Sequence, residues 1–154
     1  PAKVFMGVHM LVGIKPCIGP ELLKTLAQMG HGDELVLADA YYPGHTMGKR
    51  CIRADGITIP ELLEGILPLI TLDTFVKDSV VMMAPVEGDT ADPEIEKNFM
   101  AIIKSLRAEA PDLTKISREA FYERSKNAYA VVMSSSCVKY GCIILKKGVL
   151  PATK

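Results

Sequence analysis

The chain has 154 residues, enough for one domain with a substantial core and too few for two. Its 18 lysines and arginines balance 18 aspartates and glutamates, so no basic excess exists to neutralise a phosphate backbone or an anionic leaflet; neither nucleic acid nor membrane is an expected partner. An apolar share of 49% is rich for a small monomer and predicts a homo-oligomer that covers some of its apolar surface.

Four cysteines, Cys17, Cys51, Cys137 and Cys142, lack the paired short spacing of a zinc site or redox couple and fit reduced thiols in a cytoplasmic protein. The apolar stretch from Val4 to Ile14 is interrupted by Gly7, His9 and Gly13, and it has neither a basic leader nor spanning length, so no export signal is expected. Residues 1–9 carry no periodicity and are expected to be a tail or extension, with one domain over 10–154 and Met10 as the natural start.

In chain order, Pro20 to Met29 shows helical apolar spacing, with proline in the first turn and Gly30 to stop it. Leu35 to Ala38 is a continuous apolar run between charges, as in a strand buried on both faces. Cys51 to Ala54 predicts a weaker strand, Pro60 to Leu67 a helix interrupted by Pro68, and Val80 to Ala84 another buried strand. From Pro93 to Ala110, Ile95, Phe99, Ile102, Ile103 and Leu106 form one helical stripe, with Asp92 as cap and Pro111 as stop. A short segment at Lys115 to Ser117 precedes a charged helix over Glu119 to Lys126, and two strands follow at Ala128 to Met133 and Tyr140 to Leu145. The alternation predicts a single-domain α/β fold whose mainly parallel central sheet is flanked by helices.

In such sheets reactive groups gather in loops beyond strand ends. His31 lies between Gly30 and Gly32, where it can present an imidazole suited to proton transfer near neutral pH, or simply favour the dipole at a helix end closed by a left-handed Gly30. Asp39 follows an apolar strand; it can accept hydrogen bonds from ligand hydroxyls or cap the turn through Tyr41, Tyr42 and Pro43. Arg118 can clamp a polyol or pair with an acid, and Tyr140, beside Gly141, can expose its hydroxyl to a pocket or pack against the rim. No ligand spacing supports a metal set of His31, Asp33, His45 and Asp55, Ser134 to Ser136 lack the glycines of a nucleophile elbow, and no glycine-rich phosphate loop follows a strand.

Six segments in order, Met29 to Glu34, Ala38 to Ala40 with Pro43, Arg53 to Gly56, Val86 to Thr90, Phe121 to Arg124 and Leu145 to Gly148, resemble the fucose mutarotase branch of the ribose pyranase and fucose mutarotase family. The resemblance runs from Met10 to Val149. It implies a cofactor-free isomerase that interconverts the α and β anomers of L-fucose. It also implies a decamer of two pentameric rings with the active site at a subunit boundary.

By the same resemblance, the proton donor falls on His31, the sugar-binding aspartate on Asp39 and the sugar-binding arginine on Arg118. Tyr140 matches the tyrosine that opens the last strand and is expected to bind sugar, with either Tyr140 or a water as the partner of His31. Cys142 occupies the position of the family's sugar-binding asparagine, and Ser134 to Cys137 replace a glycine and a glutamate. The chemistry suits these residue types, because anomerisation needs an acid for the ring oxygen and a base for the anomeric hydroxyl proton. The alternatives are a D-ribose pyranase, disfavoured by Arg118 and the Phe121 to Arg124 turn, and a non-catalytic sugar-binding protein, kept open by Cys142.

Overall fold

A computed structural model describes residues 10–151. The expected tail over 1–9 lies outside them. In the strands, apolar residues follow one another without alternation, so each strand feeds two cores at once. Leu35 and Leu37 of β1 (Glu34–Ala38) enter one core while Val36 and Ala38 enter the other. The same division holds in β3 (Val80–Met83), in β5 (Ala130–Met133) and, through Ile143, Ile144 and Leu145, in β6 (Ile143–Lys146). Shorter strands β2 (Cys51–Arg53) and β4 (Thr114–Ile116) form the two edges of a sheet ordered β2-β5-β1-β6-β3-β4.

Five of the strands run parallel, whereas β6 is antiparallel to both of its neighbours, β1 and β3. The fold is therefore the expected helix-flanked α/β domain with a mainly parallel sheet, and the one reversed strand sits near its middle. Helices α1 (Pro20–Gln28), α3 (Ile59–Ile66) and α4 (Pro93–Leu106) supply Leu22, Leu26, Leu62, Leu63, Ile66, Phe99 and Ile103 to the larger core. The opposite face is covered by α2 (Gly44–Met47) and α5 (Arg118–Asn127), where Phe121 is fully buried and Tyr42 meets it edge-on. Each fully buried leucine, isoleucine or phenylalanine contributes about 1.5–3 kcal/mol.

Local chemistry sets the ends. Thr58 and Glu61 form a reciprocal capping box on α3, and Asp92 caps α4 through the Glu94 N–H as expected. The α4 helix stops at Leu106 rather than Ala110, because Arg107 leaves helical geometry and its Nε donates to the carbonyls of Leu67 and Ile70. Strand β5 begins at Ala130, two residues later than the pattern suggests. The last strand begins at Ile143 and not at Tyr140, which occupies the preceding turn with φ 56°. Arg124 ties the layers together, pairing with Glu34 at the start of β1 and with Asp78 just before β3. Burial raises the Asp78 pKa, but Arg124 outweighs it and holds that carboxyl below its ordinary value. No helix among the described residues is long and apolar enough to cross a membrane.

Candidate active site

The reversed direction of β6 decides what the sheet can present. Because it runs against β1 and β3, its start lies at the same edge as their ends. Residues from the 137–142 turn therefore meet Asp39 after β1 and the loop after β3 in one cleft of about 430 Å³. The amino-terminal turn of α5 adds Arg118 and Tyr122 to its wall. Asp39, Arg118, Tyr140 and Cys142 thus line a common cavity at the edge where parallel sheets usually hold ligands.

Asp39 is held from two sides. Its Oδ1 accepts the Tyr41 N–H at 2.8 Å, so the turn-capping alternative is realised, while its Oδ2 accepts from the Cys142 thiol at 3.0 Å. The same sulfur accepts the Asp39 N–H at 3.3 Å. Cys142 is only 2% exposed, and burial together with the Asp39 carboxylate pushes its thiol pKa well above the ordinary range. It stays a neutral donor turned onto Asp39. Arg118 is exposed, lies over the Tyr122 ring with 5.2 Å from guanidinium carbon to centroid, and forms no ion pair among the described residues. Its Nε and Nη2 donate only long hydrogen bonds, 3.4 and 3.3 Å, to the Tyr122 hydroxyl, so with no acid paired to it the guanidinium can turn its donors to a ligand in the cleft.

Tyr140 donates its hydroxyl proton to Asp89 Oδ2 at 2.6 Å and accepts the Val86 N–H at 3.3 Å. The packed-rim and pocket-facing alternatives coincide here, since the residue lines the cleft while bonded to its wall. Asp89 also takes Lys139 Nζ at 2.5 Å and the Thr90 N–H at 2.8 Å. The Lys139 ammonium, the Tyr140 hydroxyl and the Thr90 N–H hold its carboxyl down at about 2. Asp89, Tyr122 and Lys139 were not singled out by sequence patterning. Family likeness alone reaches two of them, since Asp89 lies in the segment Val86 to Thr90 and Tyr122 in Phe121 to Arg124.

His31 stands apart from this cleft. It lies in the turn between α1 and β1, where Gly32 rather than Gly30 takes the left-handed conformation, at φ 84°. The turn is pinned by the Gly30 N–H donating to Asp33 Oδ2 at 2.7 Å. The whole of β1 intervenes between His31 and Asp39, five strand residues or about 16 Å, beyond the reach of any side-chain contact. His31 instead faces Asp73, with Nε2 to Oδ1 at 3.2 Å, and the Phe75 ring, centroids 5.7 Å apart. One chain thus carries the cleft lined by Asp39, Arg118, Tyr140 and Cys142 at one end of the strands and His31 at the other. Among the described residues, no three His, Cys, Asp or Glu side chains are grouped to hold a metal ion.

Residues 12–150 match the model of the RbsD / FucU transport protein family. The chain belongs to this family. L-fucose mutarotase of Histophilus somni (strain 2336) is 53% identical over 142 residues, 92% of this chain and 99% of that protein. L-fucose mutarotase of Haemophilus influenzae (strain 86-028NP) is 54% identical over the same length and shares of the two chains. Among solved structures, the Streptococcus pneumoniae fucose mutarotase in complex with L-fucose superposes with a TM-score of 0.85 at 46% identity, covering 92% of this chain and all of that one. Membership of the RbsD / FucU family agrees with the resemblance carried by the six ordered segments.

Proposed function

We propose that this chain is an L-fucose mutarotase whose active site is built from two copies, the cleft of one and His31 of its neighbour. The isomerase activity rests on the similarity to fucose mutarotases over nearly the whole chain. The observation that carries the two-copy site is the separation of His31 from a cleft already furnished with Asp39, Arg118 and Tyr140. Exposed apolar side chains flank both halves, Phe75 at 78% beside His31 and Tyr41 at 82% on the cleft wall, as a head-to-tail contact requires. The ring assembly, homo-oligomeric state and cytoplasmic location belong to this same proposal.

In this reading the Arg118 fork and the Asp39 carboxylate hold sugar hydroxyls while the ring opens. Tyr140 donates its own proton to Asp89 and accepts the Val86 N–H, so its oxygen can take the anomeric hydroxyl proton as its own proton passes on to Asp89. His31 supplies the proton for the ring oxygen. As the anomeric O–H proton passes to the Tyr140 oxygen and the phenol's own proton moves to Asp89 Oδ2, the bond from the anomeric carbon to the ring oxygen breaks and an aldehyde and a free hydroxyl result. Rotation by about half a turn and reclosure on the other face return both protons. No redox step or group transfer is involved.

The test is magnetisation exchange between anomers by NMR, with L-fucose beside D-ribose and D-galactose. Enzyme-dependent exchange fastest on L-fucose supports the reading. Exchange fastest on D-ribose would indicate a pyranase, and binding without exchange a sugar-binding protein.

A further inference from the structure

The edge of the sheet that carries His31 contains a second feature which the cleft chemistry does not use. Asp73 is only 4% exposed, yet it is a carboxylate, and burial of such a group is unfavourable unless charged or donor partners surround it. Burial raises its pKa, but the Phe75 N–H and His31 outweigh that effect and hold it below its ordinary value. Its Oδ1 accepts the Phe75 N–H at 3.0 Å and stands 3.2 Å from His31 Nε2. Lys146 adds a more distant positive charge.

The backbone around Asp73 is fixed from several directions. Its N–H donates to the Lys146 carbonyl at 3.0 Å, Leu72 bridges Lys147, and the Ser79 hydroxyl donates to the Asp73 carbonyl. Gly148 lies so close that an added Cβ would stand 2.6 Å from the Leu72 carbonyl oxygen and 2.9 Å from the Asp73 nitrogen. The same strand end grips the histidine turn, since the Gly32 N–H donates to the Lys147 carbonyl and the Lys147 N–H to the Asp33 carbonyl. Asp73 and His31 are thus anchored on either side of one strand end, the carboxylate buried and the imidazole 44% exposed.

We propose that Asp73 is the positioning residue for His31. Its carboxylate accepts the Nε2 proton, fixes the ring, and leaves Nδ1 as the nitrogen that exchanges a proton with sugar. This rests on the reading of His31 as the proton-transferring residue. In the forward step the imidazolium gives its Nδ1 proton to the ring oxygen and becomes the neutral Nε2–H tautomer, still bonded to Asp73. On reclosure the sugar hydroxyl returns that proton to Nδ1, so the histidine and carboxylate end as they began.

The test uses full-length protein labelled with 13C at histidine Cδ2, a carbon whose shift distinguishes the two neutral tautomers. The chain has three histidines, and His31→Gln assigns the signal. The expected result is a neutral His31 held as the Nε2–H tautomer; a dominant Nδ1–H tautomer overturns the proposal and needs no Asp73 variant. Asp73→Asn is expected to mix the tautomers and lower kcat for fucose anomer exchange at least about tenfold with KM little changed, within the range one general acid contributes. A folded Asp73→Asn protein with parental kcat overturns it equally. Parental protein that lacks anomer exchange altogether would instead remove the mutarotase reading, a separate failure from a wrong tautomer.

Discussion

Replacing Cys142 by alanine removes the one side chain that binds both the backbone and the carboxylate of Asp39. A thiol is a weak donor, but its acceptor is charged and the sulfur itself is buried, so the lost bond is worth about 1 kcal/mol. The vacated sulfur leaves a small void worth about 1 kcal/mol more. A loss of about 2 kcal/mol lowers Tm by roughly 4–8 °C in a chain of this size. Asp39 keeps only its Tyr41 contact, and L-fucose affinity is expected to fall about fivefold, equivalent to about 1 kcal/mol. Cys142→Asn should behave oppositely. Its amide can donate to Oδ2, accept the Asp39 N–H and retain one N–H for the cleft, improving affinity over the parent by about 1 kcal/mol. Thermal unfolding and calorimetric titration with L-fucose read both effects. Parental Tm and Kd in Cys142→Ala would refute the thiol's hold on Asp39, and equal affinity of cysteine and asparagine would reject the added sugar contact.

Other outcomes follow from the same geometry. Arg118→Ala should leave Tm unchanged, because the guanidinium is exposed and unpaired by acids, while weakening fucose binding by about 1.5–3 kcal/mol in calorimetry; unaltered binding would take Arg118 out of the site. Gly148→Ala should cost about 1–3 kcal/mol in urea unfolding, because its Cβ meets the Leu72 and Asp73 backbone; parental stability would contradict that contact. Stability should decline above about pH 9, the ordinary thiol value, because Cys142, Cys17 and Cys51 have raised pKa values and Tyr42 is pushed up to about 12. These groups ionise in the unfolded chain first, so it binds fewer protons there and stability falls as pH rises. On the acid side the lowered carboxylates of Asp73, Asp78 and Asp89 lose their contribution below about pH 4, Asp89 last at about 2. A pH-independent urea midpoint across either window would contradict this assignment.

The strands were legible because Leu35 to Ala38 and Val80 to Met83 are apolar without interruption, a pattern that only burial on both faces explains. Helix ends were readable where a side chain caps, as at Asp92, and misread where a tertiary contact ends the helix, as at Arg107. Tyr140 reads as the start of a strand because the apolar run Cys142 to Leu145 follows it, whereas its positive φ belongs to a turn that no periodicity reveals. Asp39, Arg118, Tyr140 and Cys142 were identifiable from the family likeness, but their meeting depends on the direction of β6, a property of topology. Asp73 and Asp89 carry no local signal: each is an ordinary loop aspartate until the fold brings a histidine or a tyrosine to it.

The central claim, an active site shared between two copies, is tested most directly by mixing two inactive chains. His31→Ala keeps the cleft and loses the proton donor, whereas Arg118→Ala keeps the donor and loses a sugar anchor. Assembled separately, each should exchange L-fucose anomers far more slowly than the parent. Unfolded together in equal amounts and refolded into mixed assemblies, they should recover about a quarter of parental exchange, the share of boundaries that pair an intact cleft with an intact histidine. No recovery, in mixtures shown by mass to be co-assembled, would contradict the shared site.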